Sequence, residues 1–80
     1  MPKPQRRKSK LVSELESMLN SSVIILLKDG RLIKGTLKAF DSMHLNLVIY
    51  GVTEIYHDIE KKYSKMIIRG DSIEFLASTQ

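Results

Sequence analysis

Hydrophobic residues near the start of the chain recur at helical spacing, and further along they follow the two-residue period of β-strands. The helical spacing is carried by Leu11, Leu15, Met18 and Leu19. Ser9 precedes this segment and is suited to accept a hydrogen bond from the first helical turn. The pattern predicts a short amphipathic helix over residues 11–19, whose apolar face covers an open end of a sheet.

Five apolar runs with strand character follow the helix, separated by turn-forming residues. They are Val23–Lys28, Arg31–Phe40, a run from His44 through Ile49 towards His57, Lys65–Arg69 and Ile73–Leu76. Asp29-Gly30 predicts a type I′ hairpin turn, and the charged segment 58–62 predicts a loop or a turn between long strands. Together these elements predict an all-β fold, a small and strongly bent five-stranded antiparallel barrel with a short N-terminal α-helix.

Three glycines are expected to shape the backbone of this barrel. Gly30 belongs to the first hairpin turn, and Gly70 to the turn between the last two strands. Gly35 lies in the middle of a strand, where glycine more often marks a bend or bulge than a flat ladder. We therefore expect the second strand to bend at Gly35.

Length and composition restrict the function further. Eighty residues form one domain, and without cysteine the chain has no disulfide or thiolate metal site. His44 and His57 are too far apart in sequence to suggest a zinc site, so no metal and no cofactor are expected. No segment is apolar enough for a signal peptide or a membrane span, which predicts a soluble, cytoplasmic protein.

The net charge of +4 is concentrated at one end of the chain. Residues 1–10 carry five basic side chains and no acidic one, whereas residues 11–80 have a net charge of −1. The composition of residues 1–10 predicts a disordered basic tail. This tail would act either as an arm that attracts phosphates or as a solubilising end without a specific partner.

No arrangement of residues in the sequence suggests catalysis, so the protein is not expected to be an enzyme. Two polar clusters are candidates for a binding site: Asp41, His44 and Asn46, and further along Arg69 with Asp71. Each cluster is also compatible with a purely structural role. The first could be a polar turn, and the second a local ion pair on the surface.

Both clusters lie in segments that resemble the two motifs of the Sm and Sm-like protein family. GRLIKGTLKAFD (residues 30–41), followed by HLNL (44–47), is similar to the first motif, and MIIRGDSI (66–73) is similar to the second in its archaeal and eukaryotic form. The resemblance covers about residues 11–76. It implies a domain over residues 11–77, with the first motif within 23–57 and the second within 65–76.

The resemblance also implies a function. Proteins of this family form rings, typically of seven subunits, through their fourth and fifth strands, and they bind uridine-rich single-stranded RNA at the inner rim of the pore. Such rings act as RNA chaperones or as scaffolds of ribonucleoprotein particles. The resemblance leaves open the subunit number, the participation of paralogues and the stacking of rings.

By position, the resemblance assigns a role to each polar residue. His44 matches the residue that stacks on a uracil, Asn46 the one that hydrogen-bonds the base edge, and Arg69 the one that covers the other face of the base. Asp71 matches the acidic residue beside that arginine, and Asp41 belongs to the same first motif. The chemistry agrees, because imidazole and guanidinium planes stack on bases.

One departure from the family pattern concerns Ser42 and Met43, which both separate Asp41 from His44 where the family usually has a single residue. Either a bulge absorbs the extra residue and His44 and Asn46 still face the pore, or the base pocket is distorted. We favour the bulge, because Leu45 and Leu47 keep a core register only if His44 and Asn46 lie opposite them.

Two alternative functions remain at this point. One is a structural or adaptor ring that binds protein partners and has weak or no RNA-base specificity. The other is a monomeric SH3-like module, which predicts the mass of a single chain. An adaptor ring should bind RNA without base preference, unlike an RNA-binding ring. A monomeric module should have the molecular mass of one chain, unlike either ring.

Overall fold

The computed structural model describes residues 9–79, which form one helix followed by five strands. The elements are α1 (Lys10–Ser17), β1 (Ser22–Leu27), β2 (Leu32–Phe40), β3 (Leu47–Tyr56), β4 (Ile59–Ile68) and β5 (Ile73–Ser78), with a 3-10 turn at Gly70–Ser72 before β5. All strand pairs are antiparallel, in the order β4-β3-β2-β1-β5. The predicted all-β architecture with one N-terminal helix is confirmed.

The N-terminus of α1 is capped as expected. The Ser9 hydroxyl oxygen accepts a hydrogen bond from the Val12 backbone N–H at 3.1 Å, which satisfies one of the free donors of the first turn. The predicted basic tail over residues 1–10 lies outside the described residues except for Ser9 and Lys10. These two residues belong to the helix cap and the helix, so they are not part of a disordered tail.

The helix ends at Ser17, two residues earlier than predicted, but its apolar side covers the sheet as expected. Leu15 is buried, and Met18 and Leu19 pack against the core beyond the last helical turn. Asn20 then turns the chain with a φ of 67° and donates its backbone N–H to the Leu37 carbonyl. Of the described helices, none has the length and apolar character that a membrane crossing requires.

The core consists of alternate aliphatic side chains from four of the strands. Its members are Val23, Ile25, Ile33, Leu37, Leu47, Ile49, Val52 and Ile68. This alternation is the two-residue period of half-buried strands. A buried carboxylate, Glu54, lies at the edge of this core and is paired with Arg31 at 3.1 Å, while the Tyr63 hydroxyl donates to it at 3.4 Å.

The sheet bends where Gly35 of β2 lies beside Gly51 of β3. The β2–β3 register shifts between Lys34 and Thr36, and Gly51 has a φ of +60°. A Cβ atom on Gly35 would lie 2.5 Å from Ile49 Cγ2 and 2.9 Å from the Tyr50 carbonyl oxygen. The backbones therefore approach too closely for any side chain at position 35, and the predicted bend is confirmed.

The first hairpin turn differs from the prediction. A type I′ turn needs positive φ at both central residues, but only Gly30 has one, at 99°. The Gly30 N–H donates to the Leu27 carbonyl, and the Leu27 N–H donates to the Arg31 carbonyl. This is a three-residue loop, and the type I′ assignment to Asp29-Gly30 was wrong, because Asp29 lacks the positive φ that this turn needs.

The turn expected within 58–62 between two long strands is shorter than predicted and begins one residue earlier. β4 begins at Ile59, and the turn is the dipeptide His57-Asp58, whose φ values are 51° and 62°, as in a type I′ turn. Histidine and aspartate tolerate this conformation better than most residues. The charges of 60–62 obscured the strand because β4 is exposed along most of its length, so its sequence lacks the alternation of a half-buried strand.

Candidate nucleic-acid interface

Asp41 organises the loop that connects β2 to β3. Its Oδ1 accepts a hydrogen bond from the His44 backbone N–H at 2.6 Å, and its Oδ2 accepts one from the Asn46 N–H at 3.2 Å. The Asp41 carbonyl accepts from the Leu45 N–H, and the Asp41 N–H donates to the Asn46 carbonyl. Four hydrogen bonds to one residue fix the backbone of the whole loop.

These contacts also set the charge of the loop. The His44 backbone N–H, with smaller contributions from the backbone and side chain of Asn46, lowers the pKa of Asp41 below its ordinary value of 3.8, against a smaller opposing effect of burial. Hydrogen bonds to a carboxylate favour its charged form. Asp41 is therefore ionised at neutral pH and remains a hydrogen-bond acceptor there.

The third strand begins at Leu47 rather than at His44, which corrects the sequence prediction. Residues 42–44 form a turn, and Leu45 takes a left-handed conformation with a φ of 57°. Alternation along a strand therefore does not decide where His44 and Asn46 point. The Asp41 hydrogen bonds do, and they could not be read from residue spacing.

The second polar segment reaches this loop through Gly70. The Gly70 backbone N–H donates to Asn46 Oδ1 at 2.9 Å. A Cβ atom on Gly70 would collide with the carbonyl oxygens of His44 and Leu45, so only glycine allows the two segments to lie this close. Next to it, Arg69 Nη2 and Asp71 Oδ2 form an ion pair at 3.1 Å.

The two segments enclose a pocket of about 220 Å³ lined by His44, Asn46, Arg69 and Asp71. The structure thus brings together four of the five candidate site residues. Asp41 does not line the pocket; it holds the loop from behind. His44, Arg69 and Asp71 are exposed, while Asn46 is half-buried.

The extra residue between Asp41 and His44 is absorbed in the turn. Ser42 and Met43 are both exposed, and Met43 is 81% accessible. His44 and Asn46 nevertheless line the same pocket as Arg69. The prediction that the loop would absorb the insertion agrees with this geometry, although the loop is a hydrogen-bonded turn rather than a bulge in a strand.

Sequence reasoning treated Gly70 only as a turn residue and missed its contact with Asn46. The sequence contained only a weak indication of this contact, since a glycine between Arg69 and Asp71 fits any tight turn. Among residues 9–79, no group of three or more histidine, aspartate or glutamate side chains is arranged to hold a metal ion.

An antiparallel sheet bent at neighbouring glycines, with a polar pocket built from two loops, defines a small β-barrel binding module. Residues 13–78 match the family model of the LSM domain. Over 64 residues the chain is 39% identical to an snRNP Sm-like protein of Archaeoglobus fulgidus, covering 79% of this chain and 82% of the relative. The chain belongs to the Sm-like family and is of the archaeal type.

Solved structures agree with this assignment. A heptameric archaeal Sm protein superposes with a TM-score of 0.77 at 28% identity, covering 85% of this chain and 98% of that one. The Sm protein of Pyrococcus abyssii, solved in complex with a uridine heptamer, superposes with a TM-score of 0.80 at 29% identity, covering 89% and 100%. Sm-like proteins are structural RNA-binding proteins rather than enzymes, in agreement with the sequence prediction.

Proposed function

We propose that this chain forms a ring and binds uridine-rich single-stranded RNA in the pocket of His44, Asn46, Arg69 and Asp71. It would act in the cytoplasm as an RNA chaperone or as a scaffold of a ribonucleoprotein particle. The observation that carries this proposal is the meeting of all four side chains in one pocket, although they come from segments 23 or more residues apart. The uridine heptamer bound by the similar Pyrococcus abyssii protein supports it.

The two walls of the pocket suit a flat aromatic ligand. His44 offers an imidazole ring on one side and Arg69 a guanidinium plane on the other, so a base between them gains stacking and cation–π energy. Such stacking contributes about 1–3 kcal/mol per base. Asp71 holds the Arg69 guanidinium through its ion pair. Because Arg69 is already restricted in the free protein, it loses less conformational entropy when a base binds.

Asn46 provides the selectivity for uracil. Its Oδ1 accepts a hydrogen bond from the Gly70 N–H, which leaves the second lone pair of this oxygen for a base. The amide nitrogen carries two hydrogens, so the side chain can offer a base both a donor and an acceptor. Uracil can accept at a carbonyl oxygen and donate its N3–H, whereas cytosine and adenine carry no hydrogen on the corresponding ring nitrogen.

The sheet edges suit assembly into a ring. β4 and β5 are the two ends of the sheet, and each displays a large exposed apolar side chain, Ile67 at 71% and Phe75 at 49% accessibility. Pairing β4 of one subunit with β5 of the next is a head-to-tail contact, and such contacts form a closed ring when the rotation closes. The heptamer of the similar archaeal protein supports seven subunits, and paralogues or a second stacked ring could join the same edges and faces.

The basic segment 1–10 would add to this function. Its five positive charges would attract RNA phosphates without regard to sequence. In this proposal the tail increases the affinity for RNA, and the pocket determines the preference for uridine.

The test is the binding of fluorescent oligo(U), oligo(A) and oligo(C) by anisotropy, with the mass of the same sample measured by light scattering. We expect a ring-sized particle that prefers oligo(U). His44→Ala with Arg69→Ala should remove this preference and leave the mass unchanged, because neither side chain belongs to the core.

His57→Asn with Lys61→Ala is a matched control, since it removes one exposed histidine and one exposed cation that do not line the pocket. It should keep the preference for oligo(U). A double pocket variant that still prefers oligo(U) would show that the pocket assignment is wrong. A ring without any base preference would favour the adaptor function, and the mass of one chain would favour an SH3-like monomer.

A further inference from the structure

A group of lysines occupies the outer side of the sheet at its bend. In one row across the strands, Lys34 pairs with Thr53 and Thr53 with Lys62; in the next row, Thr36 pairs with Tyr50 and Tyr50 with Lys65. Directly paired residues share one face of a sheet. The neighbouring residues Ile33, Leu37, Ile49 and Val52 are buried, so both rows face outward.

Tyr50 is the centre of this group. Lys38 Nζ lies 5.5 Å and Lys65 Nζ lies 5.1 Å from the centroid of its ring, both within the range of cation–π attraction. Tyr50 is 40% accessible. We call Lys34, Lys38, Lys62, Lys65 and Tyr50 the outer lysine face.

The four lysines of this face take part in none of the ion pairs described for residues 9–79. Those ion pairs involve Arg31 and Arg69 instead. Lys38 and Lys62 donate to the neutral side chains of Asn20 and Thr53. Four positive charges are thus concentrated on a domain whose residues 11–80 have a net charge of −1, and such a patch favours a polyanion.

We propose that the outer lysine face is a second binding surface for single-stranded RNA, with its lysines on phosphates and a base stacked on Tyr50. This inference rests on the proposed function in so far as RNA is taken to be the ligand. An acidic protein would match the charge of the lysines but offers no planar group that could take the place of a lysine ammonium group on the Tyr50 ring. A nucleotide supplies both a phosphate and a planar base, the two groups that this surface recognises.

The outer lysine face is close enough to the pocket for one RNA strand to reach both. Tyr50 lies three residues beyond Leu47, where β3 leaves the pocket loop, and three strand residues span about 10 Å. A short oligonucleotide would fill only the pocket, whereas a longer one would continue onto the outer face. Length dependence therefore separates the two sites.

The experiment compares the full chain with the variant Lys38→Gln/Tyr50→Thr/Lys65→Gln, using a uridine heptamer and an oligo(U) of about 30 nucleotides. Affinity for the long RNA should fall about tenfold, as expected for one lost stacking contact. The slope of log affinity against log salt should become shallower by about 1.4, because each phosphate contact of a single strand contributes about 0.7. Affinity for the heptamer should change less than twofold.

Lys28→Gln/Lys61→Gln is the control, since it removes two exposed lysines outside this face and should weaken long RNA less than twofold. Light scattering and thermal unfolding verify that each variant keeps its assembly and fold. As a second readout, bromouridine-substituted long RNA should form a photo-crosslink to Tyr50 that mass spectrometry locates.

Three outcomes would overturn the inference. The variant of Tyr50 and its two lysines, called the Tyr50 variant, could keep its affinity for the long RNA, or the lysine control could lose as much of that affinity as the Tyr50 variant does. The third outcome is that the wild-type protein binds polyglutamate as tightly as RNA. His44→Ala/Arg69→Ala keeps the two proposals distinguishable. If that pocket variant keeps uridine preference while the Tyr50 variant loses long RNA, the pocket assignment fails and the outer face stands. A wild-type protein that binds no single-stranded RNA contradicts both.

Discussion

The two walls of the pocket are built in different ways. The wall from the β2–β3 loop, with His44 and Asn46, is fixed by hydrogen bonds that involve the backbone, and four of them converge on Asp41. The wall from the second motif presents Arg69 and Asp71, whose side chains are 77% and 67% exposed and are joined by a single ion pair. One wall is rigid and the other is adaptable.

This difference indicates that the rigid wall distinguishes between bases, whereas the adaptable wall adjusts to the base that is bound. A fixed amide can distinguish bases, because a misplaced partner leaves a hydrogen bond unmade. An exposed guanidinium can move onto whichever base face is offered, at little cost, since surface ion pairs contribute little to stability. Changes in the rigid wall should therefore affect folding and selectivity together, and changes in the other wall should affect mainly binding.

The largest effect is expected for Gly70→Ala, at the point where the two walls meet. The added Cβ would collide with the His44 and Leu45 carbonyl oxygens, and overpacking of this kind costs up to about 3 kcal/mol. The free energy of unfolding, measured by urea denaturation, should fall by about that amount. Selectivity for oligo(U) should fall as well, because the bond from Gly70 to Asn46 lengthens.

Gly51→Ala is the control for this change. A Cβ at Gly51 meets no atom within 4 Å, but its φ of +60° is strained for alanine, which costs about 1–2 kcal/mol. Selectivity should be unchanged. Equal losses of stability and selectivity in the two variants would show that the contact between Gly70 and the loop is not the cause.

A smaller effect is expected for Asp41→Asn, and it should depend on pH. The folded-state pKa of Asp41 is lowered, so its charge stabilises the fold above its ordinary value of 3.8, and this contribution is lost as the pH falls through the lowered pKa. In urea denaturation, the free energy of unfolding should be higher for the wild type than for the variant at pH 7, and this difference should narrow below about pH 4. A difference that stays constant with pH would contradict this role.

The smallest effect is expected for Asp71→Ala, which removes the exposed ion pair. Stability should change by less than about 0.5 kcal/mol. Affinity for oligo(U) should fall about threefold, because Arg69 loses the partner that restricts its orientations, whereas the ratio of oligo(U) to oligo(A) affinity should hardly change. Anisotropy at matched salt measures both affinities, and a stability loss comparable to that of Gly70→Ala would show that the second wall is not adaptable.

The elements that depend on burial were predictable from the sequence. Alternating aliphatic residues such as Ile33 and Leu37 identify strands because one face of each strand must avoid water, and all five strands are found. The bend at Gly35 was also predictable, since a glycine inside a strand usually marks a bulge, a bend or a close approach of two backbones. The residues of the pocket were found through motifs rather than through physical reasoning.

The parts that could not be predicted depend on local backbone geometry. The start of β3 was misplaced because Leu45 continues the apolar alternation although its backbone is left-handed. The turn between β3 and β4 was predicted within 58–62, too late and too long, because glycine, not histidine, is the usual residue for positive φ. In both cases hydrogen bonds between residues that are not adjacent in sequence override the local pattern, and such bonds have no signature in spacing.

The position of β4 and β5 at opposite ends of the sheet also has a thermodynamic consequence. In a closed ring each subunit covers the apolar edges of two neighbours. The surface buried on association therefore also stabilises the fold of each subunit. By mass action, the unfolding temperature should then rise with protein concentration. The stability of this small domain would be a property of the assembly rather than of the single chain.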